Sequence, residues 1–119
     1  MKPFNAIASS IICGTCLLAT KGVEAKPFIY VDSYSYDGTA DKCVENAESE
    51  LKKLEFENFV IDNSLKNKRK LSVAGYHKDE YIAVEIHCDQ KIGITSLGVS
   101  GLDPDLTYEM YGKLHKASW

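Results

Sequence analysis

"LSVAGYHKDEYIAVEIHC", residues 71–88, decides how this chain folds. Two runs rich in aliphatic, aromatic and β-branched residues flank the turn residues Lys78 and Asp79, the pattern of a β-hairpin. A tight turn pairs Tyr76 with Tyr81, Val73 with Val84 and Leu71 with Ile86; a four-residue loop keeps the same parity. Because side chains alternate along a strand, Leu71, Val73, Ile82, Val84, Ile86 and Cys88 share one apolar face. Lys70, Ser72, Ala74, Tyr76, Tyr81, Ala83, Glu85 and His87 share the other. The same parity splits the adjacent trio His87, Cys88 and Asp89. Cys88 faces in, His87 faces out and Asp89 belongs to the following turn, so His87 and Cys88 do not form a nucleophile–base pair.

Upstream, "FIYVDSYSY" (28–36) alternates and reads as a strand ended by Asp37-Gly38. Ile29 and Val31 are expected to point inward, leaving Phe28, Tyr30, Tyr34 and Tyr36 on the opposite side. Thr39 is placed to cap a helix whose apolar stripe runs through Ala40, Cys43, Val44, Ala47, Leu51 and Leu54. Phe56 and Asn58 mark its exit, and "FVID" (59–62) is a short strand before the basic loop 63–69. Downstream, "KIGITSLGVSG" (91–101) is a strand with a change of apolar parity between Ile94 and Leu97, for which a bulge near Thr95–Gly98 is expected. Asp103 and Pro104 then start a second helix carrying Leu106, Met110 and Leu114.

The elements sum to an α+β, two-layer sandwich in β-α-β-β-β-α order. Its sheet is mostly antiparallel and both helices lie on its one apolar face. This order resembles ferredoxin-like sandwiches. Through "DKCVENAESELKKLEFENF" (41–59), "YIAVEIHC" (81–88) and "GVSGLDPD" (98–105) it also resembles small secreted bacterial domains of unknown function. The resemblance implies a fold and no activity.

The first 25 residues read as a secretory signal peptide: Lys2, then a nearly uncharged apolar run from Ala6 to Ala19, then Val23-Glu24-Ala25 before the cleavage point. Residues 26–119 then form a single domain. The C-x-x-C of Cys13 and Cys16 falls inside the apolar run and leaves with it. Two cysteines remain, Cys43 on the helix stripe and Cys88 on the inward strand face. In an oxidising compartment they are expected to form one disulfide. The location expected is periplasmic or secreted, with no membrane anchor after cleavage.

The chain has a net charge of −3; without Lys2, Lys21 and Glu24 it keeps 12 basic and 16 acidic residues and carries −4. That excludes a general nucleic-acid binder, whose footprint is basic. The one basic cluster, "KNKRK" (66–70), reads as a solvated loop. His77, His87 and His115 lack metal-binding spacing, and the aspartates sit mostly where turns and caps use them. No catalytic residue, cofactor or metal is assigned. Tyr30, Tyr34, Tyr36, Tyr76 and Tyr81, with Glu85 and His87 at the margin, are expected to form an uncovered aromatic sheet face. The function expected is non-catalytic binding of a protein partner or a second copy through that face. The alternatives are an inhibitor or immunity-type protein against a secreted enzyme, and a periplasmic protein binding a metal ion or small ligand, for which Glu85 and His87 offer two ligands.

Overall fold

The hairpin forms with the four-residue loop. In the computed structural model, which describes residues 26–117, β3 (Lys70–His77) pairs with β4 (Ile82–Asp89) so that Leu71 faces Cys88, Val73 faces Ile86 and Tyr76 faces Ala83. The expected inward set is buried: Leu71, Val73, Ile82, Val84, Ile86 and Cys88 are each at most 7% exposed. The signal peptide expected at 1–25, with Cys13 and Cys16, lies outside the described residues.

β1 (Phe28–Ser35), α1 (Ala40–Lys53) and β2 (Phe56–Asp62) precede the hairpin; β5 (Ile94–Gly101) and α2 (Pro104–His115) follow it. The expected alternation of a first strand, a helix, a run of strands and a last helix holds, and the run between the two helices is β2, β3, β4 and β5. All five strands join one antiparallel sheet in the order β1-β5-β4-β3-β2. β4 is therefore the middle strand.

Both helices start where local chemistry places them. The Thr39 hydroxyl accepts the Lys42 N–H, and the Asp103 carboxylate accepts the Leu106 N–H, with Pro104 in the first turn. α1 buries Ala40, Cys43, Val44, Ala47 and Leu51; α2 buries Thr107, Met110 and Leu114. These stripes meet the inward residues of β3, β4 and β5 in one core. Each fully buried Leu or Ile, among them Leu51, Ile86, Leu97 and Leu114, contributes about 1.5–3 kcal/mol over the exposed state. Gly101 lets α2 approach the sheet, since a Cβ there would run into the Thr107 hydroxyl and Ile82.

The covalent tie is the Cys43–Cys88 disulfide, spanning 45 residues and joining the buried stripe of α1 to the middle strand with Cα atoms 6.1 Å apart. The Thr95 hydroxyl donates to Cys43 Sγ at 3.3 Å, so the polar group beside the bond is satisfied.

One local expectation is corrected. β5 has no bulge: its register runs unbroken against both β1 and β4. Thr95, Leu97, Val99 and Gly101 form the inward set, and Ile94 simply points outward. Thr95 breaks the apolar pattern because it serves the disulfide. The bulge lies in β2 instead, between Glu57 and Val60, where Asn58 adopts φ 54°. That distortion blunts one edge of the sheet.

Replacing Cys43 and Cys88 together by Ala is expected to lower unfolding free energy by about 4 kcal/mol, the chain-entropy value for a loop of this span. Urea denaturation of the oxidised protein against the double variant measures it.

Candidate binding face

With both helices on one side, the other face of the sheet is left bare, and the register lays it out in rows. One row crosses Ile29, Ser100, Ala83 and Tyr76; the next crosses Val31, Gly98, Glu85, Ala74 and Val60; a third crosses Ser33, Ser96, His87, Ser72 and Asp62. The centre is built from Ser, Ala and Gly, so it stays low. Ile29 (67% exposed) and Val31 (71%) rise along β1, and Val60 (60%) and Tyr76 (53%) rise along the far side. Tyr81 is the most exposed at 83%, but it sits in the β3–β4 turn at the end of the face. The four-residue loop places Ala83, not Tyr81, opposite Tyr76.

From this low floor only Glu85 and His87 stand up on the middle strand, with Glu85 Oε1 2.9 Å from His87 Nε2. Both are more than half exposed. A hollow of about 530 Å³ separates them from Val31 and Ser33. Another, of about 460 Å³, lies beside His87 between Leu65, Ile92 and Ile94. At its rim Asp62 is held below the ordinary carboxylate value by hydrogen bonds from the Ser64 hydroxyl and N–H, with the His87 charge adding to them. The face thus offers apolar ridges, shallow hollows and one central acid–imidazole pair. It can take up apolar side chains and exchange hydrogen bonds at its middle. Among the described residues no three His, Cys, Asp or Glu side chains come together as a metal site.

Tyr30, Tyr34 and Tyr36 are not on this face, which corrects the expectation for β1. Pairing with β5 sets Tyr30 against Val99 and Tyr34 against Thr95, both inward residues, and turns Ile29 and Val31 outward. The reason is α2. Its Tyr108, Tyr111 and His115 form a second stripe that receives the β1 residues of the inward parity. Tyr30 stacks on Tyr111 at 5.6 Å and meets Tyr108 edge-on at 5.4 Å. Tyr36, beyond the strand end, is half-buried against the core and lies over Gly38.

Asp32 is the centre of this second cluster. It lies within β1, unlike the turn and cap aspartates. Its carboxylate accepts the Ser33 N–H at 2.8 Å and the Tyr111 hydroxyl at 2.9 Å, and it pairs with His115 Nδ1 at 3.0 Å. The Tyr34 hydroxyl reaches the same His115 nitrogen at 3.3 Å. These bonds hold Asp32 below its ordinary 3.8, first through Ser33, then Tyr111, with His115 contributing less. Burial, with the Asp32 and Tyr111 charges, pushes Tyr34 up to about 12. The readable signal for the cluster was the spacing of Tyr108, Tyr111 and His115 at i, i+3 and i+7 along α2. His77 is elsewhere again, its Nδ1 accepting the Asp79 and Glu80 N–H groups in the hairpin loop. The three histidines therefore do not meet.

Comparison with protein-family models, with curated proteins and with solved structures found no match.

The lowered Asp32 value makes stability depend on pH with a definite sign. The contribution is present above 3.8 and is lost as pH falls through the lower folded value. Asp32→Asn is therefore expected to destabilise the protein at pH 7 and to cost progressively less as pH falls below 3.8. Denaturation of both proteins across that range checks it. At the other end, the raised Tyr34 value predicts stability lost as pH rises from 10.0 through about 12.

Proposed function

We propose that this protein is a secreted or periplasmic, non-catalytic binding domain that engages a protein partner, or its own second copy, through the bare face of its sheet. The observation that carries this reading is the exposure of Ile29, Val31, Val60 and Tyr76 around a floor of small residues on the face the helices leave uncovered. Apolar ridges of this kind are what a partner desolvates, while a central polar pair fixes orientation and register. Glu85 and His87 supply that pair. The apolar segment expected at 1–25 and the disulfide agree with an oxidising, exported location.

The working residues on this reading differ in part from those first expected. Tyr76, Glu85 and His87 remain central, with Tyr81 at the end of the face. Ile29 and Val31 take the place of Tyr30 and Tyr34, whose rings pack on α2, and of Tyr36, which packs against the core.

Val31→Glu and Tyr76→Ser together are expected to weaken association about tenfold or more, as loss of two apolar contacts at an interface does. Thermal stability should change little, because both side chains are more than half exposed. Sedimentation velocity and melting curves on the same samples separate the two effects. A wild-type protein that is monomeric at all concentrations and binds nothing from its native compartment would contradict the reading.

A further inference from the structure

Apart from Lys70, which lines the hollow beside His87, the basic cluster 66–70 takes part in neither the core nor the bare face. Four of its five residues are cationic in a chain of net charge −3. It forms the connection between β2 and β3, and every residue from Val60 to Arg69 is exposed. Its backbone bonds close on themselves: Lys66 N–H to Asn63 O, Lys68 N–H to Leu65 O, Arg69 N–H to Lys66 O and Lys70 N–H to Leu65 O. At its far end the Gln90 N–H, in the turn after β4, is donated to Arg69 O at 2.9 Å. Arg69 itself adopts φ 58°, a left-handed conformation that a non-glycine residue seldom takes. A segment with no buried side chain and mainly local bonds opens at low cost, and such loop tips are where endoproteases cut.

Two of the cations already face carboxylates: Lys66 lies 3.8 Å from Asp41 and Lys70 3.2 Å from Asp89. Lys68 and Arg69 project from the loop as an adjacent basic pair. The chain has a second such pair, Lys52-Lys53, but it lies in the last turn of α1 and is bound to Glu48 and Glu50 at 3.0 and 2.8 Å.

We infer that the Arg69–Lys70 bond is a processing site for an exported endoprotease that recognises paired basic residues through acidic subsites. Hydrolysis adds one water across the bond. The C–N bond breaks, Arg69 gains a carboxylate and Lys70 an ammonium group, and no other reactant is needed. The fold is arranged to survive the cut. Cys43 lies before it and Cys88 after it, so the disulfide keeps the two pieces joined. The β1–β5 and β2–β3 ladders also cross between them. The cut frees Ser64 and Leu65, which wall the hollow beside His87, and so opens that end of the bare face. The site requires export but does not depend on what the bare face binds.

Purified, oxidised full chain treated with a subtilisin-type convertase specific for basic pairs provides the test. The expected product gains the mass of one water and stays a single species without reductant. On reduction it separates into pieces ending at Arg69 and beginning at Lys70, with Lys52-Lys53 intact. A Lys68→Gln/Arg69→Asn variant, in which Asn accommodates the left-handed backbone, should keep its circular dichroism spectrum. It should be cut at least roughly tenfold more slowly, because cleavage follows recognition of the opened loop. A first cut elsewhere, equal rates for the two proteins, or no cut in the wild type would overturn the assignment.

Discussion

The disulfide between Cys43 and Cys88 ties the buried stripe of α1 to the middle strand of the sheet, and the rest of the arrangement depends on that attachment. A domain of this size has a modest core, so one covalent tie over a long loop carries a large share of its stability. Its position matters as much as its strength. With α1 held against β4 and β3, the inward parity of every strand is set relative to one helix layer. α2 then covers the β5–β1 side of the same face, reaching Met110 and Leu114 into the common core. Nothing among the described residues covers the opposite side.

That one-sidedness gives β1 two different surfaces. Toward α2 it shows Tyr30, Asp32 and Tyr34, whose hydroxyls, carboxylate and rings meet Tyr108, Tyr111 and His115. Away from α2 it shows Ile29 and Val31 with no cover. The arrangement inverts a simple hydropathy rule for an edge strand. The aliphatic side chains are the exposed ones, and the amphipathic ones are taken up by a polar-aromatic seam that can satisfy their tips. The Asp32 carboxylate, by accepting the Ser33 N–H, also occupies one backbone donor of the edge strand. The other edge, β2, is blunted by its bulge. Sheet edges managed in this way leave the bare face as the side of the sheet where Ile29, Val31, Val60 and Tyr76 stand exposed.

Much of this was legible in the sequence, and the parts that were not have physical reasons. The hairpin parity was readable because both strands agree on it, and a two-residue change in loop length leaves parity intact. Cys43 and Cys88 followed from a helical stripe and a strand face that had to meet. The caps at Thr39 and Asp103 are local hydrogen bonds and so are written locally. Glu85 and His87 share a face by spacing alone, and the structure brings them to 2.9 Å. β1 was different: both of its alternating sets are apolar or aromatic, so hydropathy could not rank them. The decision rests on partners about 80 residues away on α2, reached only once β1 pairs with β5. Thr95 likewise looked like a break in β5 because its reason for burial, the disulfide sulfur, lies on another element.

The central claim is that the helix-free side of the sheet is the working surface. Hydroxyl-radical footprinting of the full chain, alone and in extract of its native compartment, tests it most directly, because two tyrosines of similar exposure, Tyr76 and Tyr108, stand on the two sides. The account predicts that Val31 and Tyr76 become protected in the extract while Tyr108, on the outer side of α2, stays as reactive as before. Protection of Tyr108 with Val31 and Tyr76 unchanged would contradict it.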